Sequence, residues 1–147
     1  MGYSKYAFTM IEMIFVIVVL GILASVAIPK LAATRTDAQV TKARADIASI
    51  RSAIISERQS RLIKGDSSWL SSISSSTTSL FGGPDSNHTL LMYPITANDA
   101  DGHWQSTSGT AYTYKVGGST CAFTYSSSDG TFNLTTSGVD ICNHLVD

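Results

Sequence analysis

Glu12 is the residue whose chemistry most needs an explanation. It stands near the start of "FTMIEMIFVIVVLGILASVAIPK", residues 8–30, and no charged residue follows it from Met13 to Ile28. An acid near the centre of a lone membrane helix costs about 2.5–3.5 kcal/mol on insertion scales, and less near the edge, where it reaches the interface. No Lys or Arg lies between Tyr6 and Pro29. Glu12 therefore either snorkels to the interface or takes a cation from another chain. The remaining candidates are sparser. Cys121 and Cys142 allow one bridge, or they are two separate buried thiols. The bridge is favoured because the segment is small, polar and close to the C-terminus. It would close a loop of about twenty residues, contribute about 3 kcal/mol in the chain-entropy picture, and imply an oxidising compartment. Asp99-Ala100-Asp101-Gly102 has the first half of a calcium loop's spacing, but no acid follows at the right distance, so a plain acidic turn competes. Asn87-His88-Thr89 and Asn133-Leu134-Thr135 are N-x-Thr tripeptides, which also arise by chance. His88, His103 and His144 are scattered and read as polar surface positions. There is no Gly-x-Ser-x-Gly elbow, phosphate loop, His-Glu-x-x-His or Cys-x-x-Cys, so the sequence reads as a non-enzyme.

The elements that must position these residues follow from hydrophobic pattern. Residues 8–28 are long enough to cross roughly 30 Å of hydrocarbon as a helix. A secretory signal peptide is the rival, with "ASVA" (Ala24–Ala27) posing as its cut site. Glu12 opposes it, because a signal peptide wants positive charge there. The pattern beyond Pro29 opposes it too. Ala33, Thr36, Val40, Ala43, Ile47, Ile50 and Ile54 alternate spacings of three and four and form one narrow helical stripe. Arg35, Lys42, Arg44, Asp46, Arg51, Glu57 and Arg58 lie off it. A helix from Phe8 to about Lys64 would be roughly 85 Å long, with Pro29 removing one backbone bond and bending or loosening it.

Charge is divided along the chain. Residues 30–64 carry eight bases against three acids, and residues 65–147 carry Lys115 against seven acids. Such halves attract each other or the opposite half of a neighbouring copy. The basic segment is interleaved with acids, which reads as a solvated helix face rather than a nucleic-acid surface. Residues 65–79 ("GDSSWLSSISSSTTS") read as a flexible surface loop, with Gly65 as a helix stop. Strands are expected at Thr89–Pro94, Thr110–Val116, Cys121–Tyr125 and Thr131–Thr135, the last two joined by a hairpin with Asp129-Gly130 at its turn. Three or four antiparallel strands would cover the helix stripe, giving an α+β roll.

The stretch "AFTMIEMIFVIVVLGILASVAIP" resembles the N-terminus of type IV pilins and the related pseudopilins. The resemblance covers residues 1–35 closely and the long-helix layout to about residue 64. It implies a leader, Met1–Ala7, cut between Ala7 and Phe8, with N-methylation of Phe8 by the same peptidase. Ala7 departs from that family's usual glycine. It implies that Glu12, fifth after the cut, faces the Phe8 amino group of an adjacent staggered subunit, and that Pro29 lets the rod stretch. The implied organisation is a leader (1–7), a membrane and filament-core helix (8–29), an amphipathic helix (30–64) and a globular sheet domain (65–147), a long helix packed on a small antiparallel sheet as in the pilin roll. The implied partners are further copies in a helical filament, the prepilin peptidase, inner-membrane assembly machinery, and DNA only if the pilus takes up DNA. The implied location is the bacterial inner membrane, leader in the cytoplasm, and then a periplasmic or surface filament. Counting Lys5 and the terminal amine against Lys30, Arg35, Lys42 and Arg44 gives the opposite orientation, and is overruled by the cysteines and the resemblance. The terminal cysteine loop favours a pilus subunit for adhesion, motility or DNA uptake. The alternative is a pseudopilin of a type II secretion system, in whose major subunits calcium is often bound in this region. A small secreted or membrane-anchored binding module or hydrolase is the alternative from another class.

Overall fold

The computed structural model describes residues 8–85 and 88–147. The first element, α1, is a 54-residue helix, Met10–Ile63, that continues through Pro29. Six short strands follow: β1 (Ser79–Leu80), β2 (Ile95–Thr96), β3 (Trp104–Ser106), β4 (Ala111–Val116), β5 (Ser119–Tyr125) and β6 (Phe132–Leu134). A four-residue helix, α2 (Asp140–Asn143), closes the order. The architecture is α+β. The chain divides into two compact units, one ending at Arg35 and the other Thr36–Asp147, and α1 contributes to both.

In the first unit every residue from Phe8 to Arg35 is exposed. Its apolar side chains have no protein core to enter. The second unit has one. On α1 the stripe residues Ala43, Ile47, Ile50 and Ile54 are buried, at the three-and-four spacing that puts them on one face. The helix stops in a Schellman motif. Gly65 takes φ +86°, the Gly65 N–H bonds to the Leu62 carbonyl, and the Asp66 N–H bonds to the Arg61 carbonyl.

The main sheet is antiparallel in the order β3-β4-β5-β6. Its register places Tyr114 opposite Cys121, Tyr112 opposite Phe123 and Tyr125 opposite Phe132. Alternation on β4 and β5 buries Tyr112, Tyr114 and Val116 with Cys121, Phe123 and Tyr125. Phe81, Trp104 and Phe132 complete an aromatic core. Phe81 stacks on Tyr112 at 4.5 Å and Trp104 meets Phe123 edge-on at 5.3 Å. The β5–β6 hairpin turns as expected. Gly130 takes φ +70°, and a Cβ there would run into the Trp69 indole. Trp69 in turn lies under the Arg58 guanidinium, 4.7 Å from the ring centre.

Two expectations are corrected. Thr89–Pro94 is not a strand. The Leu90 and Leu91 N–H groups bond to Gly82 and Phe81 carbonyls, Pro94 has no N–H, and pairing begins only at Ile95 with Leu80. The serine-rich stretch after Gly65 is not simply a surface loop. Leu70, Ile73 and Ser74 are buried in it. The Ser74 hydroxyl accepts from the Phe81 N–H at 2.7 Å and lies 2.8 Å from the Tyr112 hydroxyl, which is 2.7 Å from the Gly109 carbonyl. Small hydroxyls let this segment pass through a dense aromatic core with its polar atoms paired.

Cys121 and Cys142 form a disulfide, Cα–Cα 5.5 Å, joining β5 to α2 across 21 residues. Reduction, or Cys142→Ser, is expected to lower stability by about 3 kcal/mol, read as a shift of the denaturant midpoint. An unchanged midpoint would mean that the tail holds to the core without the bridge.

Candidate assembly surface

The first helical turn is built by residues 9–12. Thr9 is the cap. Its Oγ1 accepts from the Glu12 N–H at 3.3 Å, and Glu12 Oε2 accepts from the Thr9 N–H at 3.3 Å. This is a capping box, in which two otherwise unpaired helix-start donors are satisfied reciprocally. A carboxylate there also faces the positive end of the helix dipole. Thr9 was not among the residues singled out from the sequence, although Thr9-Met10-Ile11-Glu12 carries the signature. Glu12 thus has a role within its own chain.

Around this acid the surface is apolar. Phe8, Met10, Ile11 and Phe15 are each at least two-thirds exposed. The segment contains the one helix among the described residues that is long and apolar enough to cross a membrane. Pro29 lies within α1. Its missing N–H would have bonded to the Ser25 carbonyl four residues earlier. The Ser25 hydroxyl bonds instead to the Ile22 carbonyl at 2.7 Å. Of the proposed cleavage pair, Phe8 is described and Ala7, like all of residues 1–7, lies outside the described residues. So does Asn87, while Asn133 is exposed on β6.

The other candidates sit in the second unit and do not converge. Asp99 pairs with the Lys115 ammonium, and Asp101 Oδ2 accepts from the Gly118 N–H at 3.3 Å. No group of three or more metal-ligating side chains assembles among the described residues. His88 Nδ1 contacts Asp85 at 2.8 Å, and the His144 carbonyl accepts from Arg44 Nε at 2.5 Å.

The expected attraction between basic and acidic halves takes an unexpected form. Lys42 donates to the Gly102 carbonyl, Arg44 to His144, Arg51 to Phe132 and Arg58 to Ser67. These cations bind backbone oxygens of the acidic half, not its carboxylates. Arg61, within reach of Asp66 at 3.3 Å, is the exception. A groove of about 450 Å³ lies within this unit, lined by Thr36, Asp37, Val40, Thr41, Arg44, Ile141 and His144.

Asp46 accepts from the Trp104 indole N–H at 3.0 Å. Burial raises its pKa above the usual 3.8, partly offset by that bond and by Lys42. A carboxyl whose pKa is raised by folding binds its proton more tightly when folded. Its contribution therefore becomes less favourable as pH rises from the unfolded value through the raised one. Asp46→Asn keeps an acceptor for Trp104 and removes this titration. The gap in melting temperature, variant minus wild type, is expected to widen in the variant's favour from pH 3 to neutrality, measured in detergent. Asp66 and Asp129 are shifted down by hydrogen bonds and run the opposite way, but they are common to both proteins. A gap independent of pH would dismiss the effect.

Residues 3–28 match the family described as "Prokaryotic N-terminal methylation motif". A 53-residue stretch is 43% identical to "Type II secretion system core protein G" of Pectobacterium carotovorum subsp. carotovorum, covering 36% of this chain. The chain spans about a third (34%) of that relative's length. No solved structure matches the chain.

Proposed function

We propose that this chain, whose N-terminus carries the prepilin-type methylation motif, is a structural subunit that polymerises through its N-terminal helix, specifically as a pseudopilin of a type II secretion system. The observation that carries the reading is an apolar helix, exposed from Phe8 to Leu31, with one acid in its first turn. Such a surface is stable only in lipid or against other apolar helices. A chain cut between Ala7 and Phe8 would begin with a cationic amine, and the Glu12 carboxylate of a staggered neighbour would receive it. Before assembly the helix would sit in the inner membrane, and afterwards in the filament core. Pro29, with its missing N–H, would be the place where that helix loosens.

The choice of secretion over a surface pilus rests on the likeness to the type II secretion protein. The terminal cysteine loop, which favours a pilus in the sequence, ties α2 to the core sheet. Mass spectrometry of the chain from its native host tests the common part. An N-methylated Phe8 at the mature terminus is the expected result. A retained leader, or a start near Pro29, would reject the proposal. Deleting the gene then separates the two uses. Loss of protein export with surface filaments intact supports secretion, and loss of surface filaments alone supports a pilus.

A further inference from the structure

The described residues of the first unit carry three charges, and these stand at its two ends. Glu12 lies in the first turn of α1, and Lys30 and Arg35 follow the apolar run that ends at Ile28. Seventeen uncharged residues separate Glu12 from Lys30. Along a helix that interval is about 27 Å, close to the roughly 30 Å of a bilayer's hydrocarbon. Pro29 falls at its far end, so a bend there moves Lys30 little.

Both bases are exposed, and neither side chain makes a hydrogen bond or ion pair among the described residues. Lys42, Arg44, Arg51 and Arg58, by contrast, are bonded to carbonyls of their own chain. Asp37, the acid nearest in sequence, belongs to the second unit and lines a groove with Arg44. Two positions apart on a helix, Arg35 and Asp37 do not face each other. With residues 8–28 in a bilayer, the anion that Lys30 and Arg35 meet is a headgroup phosphate. The headgroup layer extends about 5–7 Å beyond the hydrocarbon. Lys30 enters it directly, and Arg35, about 7.5 Å further along the chain, reaches back into it with its long side chain. These two bases also oppose the orientation of the proposed assembly by the count of flanking charges, and lipid binding gives them a reason to be there.

We propose that Lys30 and Arg35 form a binding site for the phosphate of an anionic phospholipid in the leaflet at that end of the span. Lys30 supplies a compact charge, and Arg35 a fork of donors that matches phosphate oxygens. Holding one end of the span at its interface keeps Glu12 at the other. This rests on the reading of α1 as a membrane helix before assembly, and adds the class of lipid that it holds.

The test reconstitutes the full-length chain into phosphatidylcholine vesicles at low salt, with a trace of spin-labelled phosphatidylglycerol or spin-labelled phosphatidylcholine. The motionally restricted fraction of each label gives its relative affinity for the chain. Each cation is expected to favour phosphatidylglycerol by about fivefold. Lys30→Gln and Arg35→Gln should each lower the preference by about that factor, and the double variant should lower it further. Lys64→Gln, a base just past the end of α1, should leave it unchanged, and 1 M salt should suppress it in the wild type. Lys5 and the amino terminus are common to all these chains, so the difference between them reads Lys30 and Arg35. No preference in the wild type, or the same preference in the double variant, overturns the site and leaves the span standing. Failure of every chain to restrict either label means that α1 is not in the bilayer, and the membrane reading falls with the site.

Discussion

Glu12→Gln is expected to block polymer formation as fully as Glu12→Ala, while both variants remain in the membrane. The comparison separates the capping contact from the proposed pairing with a neighbouring subunit. Glutamine satisfies a capping box as well as glutamate does, so the bond to the Thr9 N–H at 3.3 Å survives the change. What disappears is the charge. Leaving a buried cation without its anion costs about 3–5 kcal/mol, and a polymer incurs that loss at every subunit. Helix capping alone is worth about 1 kcal/mol and would leave assembly nearly intact. Sedimentation of sheared or membrane-associated filaments, quantified against total subunit, measures the outcome. A glutamine variant that assembles normally would reduce Glu12 to a helix cap.

Trp104→Ala is expected to lower the stability of the second unit by about 3–5 kcal/mol, the range for large aromatic deletions from a core. Trp104 is fully buried and its ring lies within 5.4 Å of the Phe81, Tyr114 and Phe123 ring centres. Its loss empties the centre of that cluster and removes the donor to Asp46. The remaining carboxylate would be half-buried without its indole partner, which adds to the cost. Since whole domains are stable by about 5–15 kcal/mol, the variant should be partly unfolded near body temperature. Chemical denaturation in detergent measures it. A loss below about 1 kcal/mol would mean that the neighbouring rings collapse into the space.

Much of this architecture was legible because it is periodic. The Ala43–Ile54 stripe, the Tyr112/Tyr114 alternation and the Asp129-Gly130 turn each carry a pattern that survives without knowledge of the partner surface. The failures share a cause. Leu70 and Ile73 are isolated apolar residues among serines, and Ser74 is buried only because Phe81 and Tyr112 meet it from distant positions. β3 is three residues long, and its Trp104 gains meaning only from the rings around it. The arginines of α1 read as a solvated face in the sequence, because a carbonyl acceptor leaves no trace there. The capping role of Glu12 is legible in Thr9-Met10-Ile11-Glu12, whose spacing is that of a capping box.

The aromatic core closes on itself, while the side chains from Phe8 to Leu31 turn outward. The two parts therefore answer to different solvents. Withdrawing surfactant should make the chains coalesce without melting their rings, and raising denaturant should melt the rings while micelles still hold the tails. Handling conditions can be tuned for one without disturbing the other.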